Sequence, residues 1–199
     1  MNNYNKLSNQ LIIVISSPSG AGKTSICKEL LLRDEKIKLS ISDTTRKPRD
    51  NEIDGIDYNF LTHDEFKKKL IKNKFLEHAK VFQNYYASSL ESVKELLNQG
   101  FDVLFDIDWQ GAVQISNSNL TNIVTIFVMP PSKEIIIDRL TKRSTETGDN
   151  SSSVAFRMKQ YENDIGHRGE YKYQVVNDNF DNCVEEIIKI IQHERSLIN

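Results

Sequence analysis

The stretch Ser17-Pro18-Ser19-Gly20-Ala21-Gly22-Lys23-Thr24 carries the densest chemistry in the chain. Glycines at 20 and 22 let backbone N–H groups turn inward around phosphate oxygens, and a helix starting at the end of the loop adds its own N-terminal donors. Lys23 is then placed to reach β- and γ-phosphates, and the Thr24 hydroxyl offers an oxygen to Mg²⁺. Ser17 stands where the usual motif begins with glycine, a position that mainly serves the turn. Such a loop works only between a strand and a helix. The flanks supply both, with apolar Leu11 to Ile15 before it and a helical pattern over Lys23 to Arg33 after it.

Three kinds of protein use a phosphate loop of this kind: a GTPase switch, a mechanical ATPase and a small-molecule kinase. Asp108-Trp109-Gln110-Gly111 fits the D-x-x-G of a GTPase, but no guanine-reading N-K-x-D accompanies it, since Asn73-Lys74 is followed by Phe75-Leu76. A mechanical ATPase usually needs more than 199 residues. Arg46 and Arg49, two planar forks three residues apart, suit a terminal phosphate dianion, and tyrosine hydroxyls can complete its shell.

Composition narrows the partners. Lys plus Arg number 26 against 28 Asp plus Glu, a net charge of −2, so the basic excess of a dedicated nucleic-acid binder is missing and any anion site is local. No apolar run approaches membrane-spanning length, and Leu11 to Ile15 is too short for a signal-peptide core. Cys27 and Cys183 lie far apart without C-x-x-C spacing, and with only 4 His neither a disulfide framework nor a zinc site is expected. A cytoplasmic location, with neither nucleic acid nor membrane as partner, is the expectation.

The elements that position these residues alternate between strand-length apolar runs and helical periods, the pattern of an α/β domain on a parallel sheet. Strands are predicted at Leu11 to Ile15, Leu39 to Ile41, Val103 to Ile107, Ile123 to Val128 and Tyr173 to Val176. Helices are predicted at Lys23 to Arg33, Ser89 to Gln99, Ser132 to Arg143 and around Val184, Ile187, Ile188 and Ile191, whose spacing makes one apolar face. Ser42 to Ala87 breaks the alternation and reads as an insertion. It holds one helix, opened by a Thr62/Glu65 capping box, on which Lys67, Lys68 and Lys69 form a solvated face. Ser88 with Glu91 also spells a capping box. Ser144 to Ser153, which contains no apolar residue, reads as a mobile loop, and residues 1–10 are expected to fray.

Further motifs stand in order along the chain: Ser42-Asp43-Thr44-Thr45-Arg46-Lys47-Pro48-Arg49, Glu52, Gly55-Ile56-Asp57-Tyr58-Asn59-Phe60, Phe75-Leu76-Glu77, Asn84-Tyr85-Tyr86-Ala87-Ser88 and Asp106-Ile107-Asp108-Trp109-Gln110-Gly111. Together with the phosphate loop they resemble the guanylate kinase family, from about Leu11 to Val176-Asn177-Asp178. The resemblance implies a P-loop parallel sheet flanked by helices (core 11–41, 88–138 and 158–199), an inserted GMP-binding subdomain at 42–87 and a mobile lid at about 139–157. It implies ATP-dependent phosphorylation of GMP, and of dGMP, within purine nucleotide metabolism.

By that resemblance Ser17 to Thr24 bind ATP, Thr24 holds Mg²⁺ and Asp108 holds it through water. Arg46, Arg49, Tyr58 and Tyr86 hold the GMP phosphate with Glu52 close by, while Glu77, Ser42, Ser88 and Asp106 take the base. Guanine presents adjacent N1–H and N2–H donors that one carboxylate can accept together, and adenine offers no such pair. Lys23, Arg46, Arg139, Arg143 and Arg157 are the expected catalytic cations. A rival implied by the same motifs is a catalytically dead interaction module. Lys23, Thr24, Arg139 and Arg143 favour the enzyme. A kinase for another nucleoside monophosphate is the third reading, against which Glu77 and Ser42 argue.

Overall fold

The computed structural model describes residues 9–81, 83–147 and 151–198, without the side chains at 140, 142–147 and 151–157. Most of the N-terminal stretch expected to fray, residues 1–8, lies outside the described residues. The strands are β1 Ile12–Ser16, β2 Ile37–Leu39, β3 Ser42–Thr44, β4 Asn59–Phe60, β5 Phe75–Val81, β6 Asn84–Ser89, β7 Asp102–Asp106, β8 Ile123–Met129 and β9 Tyr173–Val176. The helices are α1 Lys23–Arg33, α2 His63–Ile71, α3 Leu90–Asn98, α4 Trp109–Ser116, α5 Lys133–Thr147, α6 Ser151–Gly166 and α7 Phe180–Ile198, with a 3₁₀ turn at His167–Glu170.

β1 is the middle strand of a five-stranded parallel sheet ordered β2-β7-β1-β8-β9. Its residues are all buried, which explains a continuous apolar run where a half-exposed strand would alternate. Ile13 and Ile15 enter one core with Ile26 and Leu30 of α1 and Val184, Ile187 and Ile191 of α7. Ile12 and Val14 enter the other with Val93 and Leu97 of α3 and Ile115 of α4. Each such side chain contributes roughly 1.5–3 kcal/mol relative to exposure, so the two layers hold the carboxyl ends of β1 and β7 rigidly. Those ends are where an open α/β sheet places its ligand.

The insertion builds a second, four-stranded sheet, ordered β4-β3-β6-β5. No apolar run marks these strands, because β3 and β4 are only 3 and 2 residues long and β5 and β6 mix polar with half-buried positions. Helix α2 covers the sheet by stacking Phe66 on Phe75 and Tyr85, with ring centroids 4.8 and 5.4 Å apart. Its predicted capping box is present: Thr62 accepts from the Glu65 amide at 3.2 Å, and Glu65 accepts from the Thr62 amide at 2.8 Å.

Three other expectations change. Lys69 is not part of a merely solvated face, because its ammonium lies 2.6 Å from the fully buried Asp43 carboxylate. The N-cap of α3 is Ser89, which accepts from Ser92, and this leaves Ser88 free for another partner. The Ser- and Thr-rich stretch from Ser144 is helical to Thr147 and again from Ser151, with residues 148–150 outside the described residues. Helices α5 and α6 pack on each other, joined by Lys133 and Glu162 at 2.7 Å, and tertiary packing outweighs the weak local propensity of that stretch. Ile136, Met158 and Tyr161 from this hairpin pack around Ala21 of the phosphate loop. No helix among the described residues is long and apolar enough to cross a membrane.

Candidate active site

The chain leaves β1 through the phosphate loop and enters α1, as the glycine spacing requires. Gly20 and Gly22 take left-handed φ values of 87° and 96°, so both lack a side chain for a conformational reason. Asn177, just past β9, donates to the Ala21 carbonyl at 2.7 Å and packs against Gly22. Lys23 is paired with Asp106 at the end of β7, and Thr24 Oγ1 donates to the other oxygen of the same carboxylate at 3.0 Å. Burial pulls the Lys23 ammonium down, but the Asp106 carboxylate outweighs it and the net shift is upward. Arg139 of α5 reaches back to the Gly20 carbonyl at 3.4 Å. Arg143 and Arg157 lie on α5 and α6, with side chains outside the described residues.

A cleft of about 490 Å³ opens over this loop, lined by Ser17 to Gly20, Gly22 to Ser25, Lys80, Val81, Asp108, Trp109, Gln110, Arg139, Gln160 and Asp164. Ala21 faces the other way, into the contact with α5 and α6.

Across the cleft, the second sheet arranges its polar residues by register. Ser42 pairs with Ser88 and Ser88 with Glu77, so the three form one row across β3, β6 and β5. Ser88 Oγ donates to Glu77 Oε1 at 2.6 Å, and Glu77 is only 3% exposed. Burial drives the Glu77 carboxyl up to about 7, with the Ser88 hydrogen bond pulling the other way and the Asp108 charge adding to the rise. Tyr86 lies two residues from Ser88 on β6, hence on the same face and roughly 7 Å along it.

Beside Tyr86 stand Tyr58, with ring centroids 6.1 Å apart, and Arg46, whose guanidinium lies 5.2 Å from the Tyr58 ring. Glu52 grips Arg46 fork to fork, both contacts at 2.8 Å, and also accepts from the Arg49 amide at 2.8 Å. These bonds raise the Arg46 pKa and lower that of Glu52. Arg49 remains half-exposed beside them, its Nη1 3.4 Å from Glu52.

Comparison with known proteins identifies the family. The family model described as guanylate kinase matches residues 9–194. The chain belongs to the guanylate kinase family. The guanylate kinase of Rickettsia prowazekii is 52% identical over 94% of this chain and 92% of its own length. That of Clostridium perfringens is 42% identical over 100% of this chain and 90% of its own. The crystal structure of guanylate kinase from Anaplasma phagocytophilum superposes with a TM-score of 0.76 at 31% identity, covering 95% of this chain and 88% of that one.

In this guanylate kinase fold the Asp106 carboxylate, expected at the base, meets Lys23 and Thr24 on the loop side. Asp108, expected at the metal, lines the cleft over the loop, caps α4 by accepting from Gly111 at 3.1 Å and adds its charge to the environment of Glu77. Adjacent positions on a strand end face opposite sides, whereas residues two apart diverge here because Asp108 has already left β7 to begin α4. Glu52 contacts the two arginines instead of projecting into the open cleft. Asp164, Lys80, Gln160 and Asn177 were not singled out from sequence. Asp164 arrives on α6 with its carboxyl raised to about 7, first by burial and then by the Asp108 charge. No local pattern marks a residue brought in from so far along the chain.

Proposed function

We propose that this chain transfers the γ-phosphoryl group of ATP to the phosphate of GMP, giving ADP and GDP, with the loop side of the cleft holding the donor and the second sheet holding the acceptor. The observation that carries the reading is the row Ser42, Ser88, Glu77 set one residue pair away from Tyr86, Tyr58 and Arg46 along the same face. The buried carboxylate suits the paired guanine donors, and the arginine and tyrosines suit the phosphate that guanosine carries at its far end. Every assigned acceptor contact falls on base or phosphate, so dGMP is included as a substrate. The role follows as GMP recycling in purine nucleotide metabolism. Two buried, unpaired cysteines support a reducing, cytoplasmic setting.

On the donor side the backbone of Ser17 to Gly22 cradles ATP phosphates, and Lys23 leaves Asp106 to pair with them. The oxygen pair Thr24 and Asp106 fits Mg²⁺, an ion that takes few protein oxygens and fills its shell with water and phosphate. When bound, that ion neutralises charge on the phosphate oxygens. Asp108 lines the same cleft, and its charge at Glu77 suits it to the exocyclic amine of the base.

Arg46 and Arg49, aligned by Glu52, orient the GMP phosphate for in-line attack, and Arg139, Arg143 and Arg157 lay positive charge across the group in transfer. Closing the α5–α6 lid (about 139–157) and the insertion (42–87) over the core excludes water that would otherwise hydrolyse ATP. A coupled ADP-release assay with MgATP and each of GMP, AMP, UMP and CMP tests the reading. Turnover is expected with GMP and to be lost in Lys23→Met. An enzyme inert toward GMP would overturn it.

A further inference from the structure

We propose that Gly111 of α4 is a positioning residue for guanine specificity: by lacking a side chain it leaves the space in which the Glu77 carboxylate must stand to meet the base. The proposal rests on the assignment of Glu77 to guanine.

Gly111 is buried near the start of α4, and its backbone has no left-handed φ, so its conformation is open to any residue. Glycine in such a place weakens a helix relative to alanine, and the backbone offers no reason for it. Its surroundings do. A Cβ at this position would lie 2.5 Å from Glu77 Oε2, 3.1 Å from Glu77 Cδ and 3.1 Å from Ile107 Cδ1. The first distance is far inside van der Waals contact, so an added methyl forces the carboxylate to move.

Glu77 has little room to move without losing its orientation. Its other oxygen, Oε1, is held by Ser88 at 2.6 Å. Its strand, β5, lies at the edge of its sheet, paired on one side by β6. On the outer side, Gln114 of α4 takes the place of a strand partner, accepting from the His78 amide at 3.1 Å and donating to the His78 carbonyl at 2.7 Å. Gln110 adds a contact to the Lys80 carbonyl at 3.5 Å. One helix thus fixes the backbone on which Glu77 sits and keeps clear the volume its free oxygen occupies. A carboxylate reads both guanine donors only when its two oxygens lie in the plane of the base, and turning or shifting it gives up the bond to the 2-amino group first.

Inosine monophosphate lacks that amino group and keeps N1–H, so the ratio of kcat/KM for GMP over IMP reports on the second bond. The test measures this ratio, the KM for ATP and the melting temperature for wild type, Gly111→Ala, Glu77→Gln, Glu77→Asp and Gly111→Ala/Glu77→Asp. The ratio is expected to fall about tenfold in Gly111→Ala, mainly through KM for GMP, with KM for ATP unchanged. Glu77→Asp, whose shorter side chain clears the methyl, is expected to cost less in the Gly111→Ala background than in wild type. Should Gly111→Ala melt early, the double variant is expected to recover the melting temperature.

A Gly111→Ala enzyme with the wild-type ratio, while Glu77→Gln collapses it, would overturn the role of Gly111 and leave the base assignment standing. Glu77→Gln with the wild-type ratio would overturn the base assignment itself. Failure of the double variant to recover, in stability or in coupling, would also overturn the proposed contact.

Discussion

The Asn177 side chain donates to the Ala21 carbonyl at 2.7 Å and stands where a methyl on Gly22 would lie only 2.6 Å away. The end of β9 therefore clamps the phosphate loop from outside the motif. Asn177→Ala removes that donor and is expected to destabilise the fold by about 1–3 kcal/mol. It should raise the KM for ATP several-fold and leave that for GMP unchanged. Thermal melting with steady-state kinetics checks both, and an unaltered ATP affinity would remove Asn177 from the support of the loop.

Glu77 sets a pH dependence with a definite sign. Its folded carboxyl titrates at about 7, above the ordinary value of 4.5, because it is buried. With Glu77 as the proposed acceptor for the base, guanine binding needs the ionised form, so the KM for GMP should fall as pH rises through about 7, and the dependence should vanish in Glu77→Gln. Stability runs the other way. A raised acid binds its proton more tightly in the folded state, so its contribution is present at low pH and declines between about 4.5 and 7, by up to about 3 kcal/mol. Melting curves of the free enzyme across that window, compared with Glu77→Gln, measure it, and saturating GMP should flatten the decline.

Asp106 and Asp108 should separate in their effects. With Asp106 against Lys23 and Thr24, Asp106→Asn is expected to lower kcat by about two orders of magnitude and weaken the dependence on Mg²⁺, with the choice among bases unaltered. With Asp108 beside Glu77, Asp108→Asn should reduce preference for GMP over IMP more than it reduces kcat. The opposite pattern would support Asp106 at the base and Asp108 at the metal.

Within the insertion, the fully buried Asp43 is satisfied by Lys69 at 2.6 Å and Asn59 at 2.8 Å. Lys69→Ala leaves that carboxylate with one neutral partner. Because Lys69 is itself 43% exposed, the loss should be below that of a fully buried pair, about 1–3 kcal/mol. Differential scanning calorimetry checks the figure. A melting temperature equal to wild type would show that water replaces the lysine.

The phosphate loop was legible because its chemistry is local: glycines, Lys23, Thr24 and the flanking strand and helix are neighbours in sequence. The core strands were legible for a related reason, since a parallel strand covered on both faces must be a continuous apolar run. The two-layer core then follows from alternation along β1. The insertion strands were not legible, because Glu77 and Ser88 are polar residues whose burial comes from tertiary contacts, with each other across two strands and of Glu77 against α4. Helix α6 was hidden in the same way, its contacts with α5 being made further along, by Glu162 with Lys133 and by Met158 and Tyr161 beside Ile136.

Residue types and short spacings thus determined that the chain is an α/β protein with a phosphate loop, and its ordered motifs pointed to a guanylate kinase. Tertiary structure decided which partners these carboxylates meet. Asp106 and Asp108 are two residues apart, and the point at which β7 ends and α4 begins sets Asp106 against Lys23 and makes Asp108 the cap of α4. It also set Gly111 against Glu77, whose Oε2 β5 brings to 2.5 Å from where a Cβ on that glycine would stand. Spacing along a chain specifies local geometry, whereas the distance between two segments is set by the packing of everything between them.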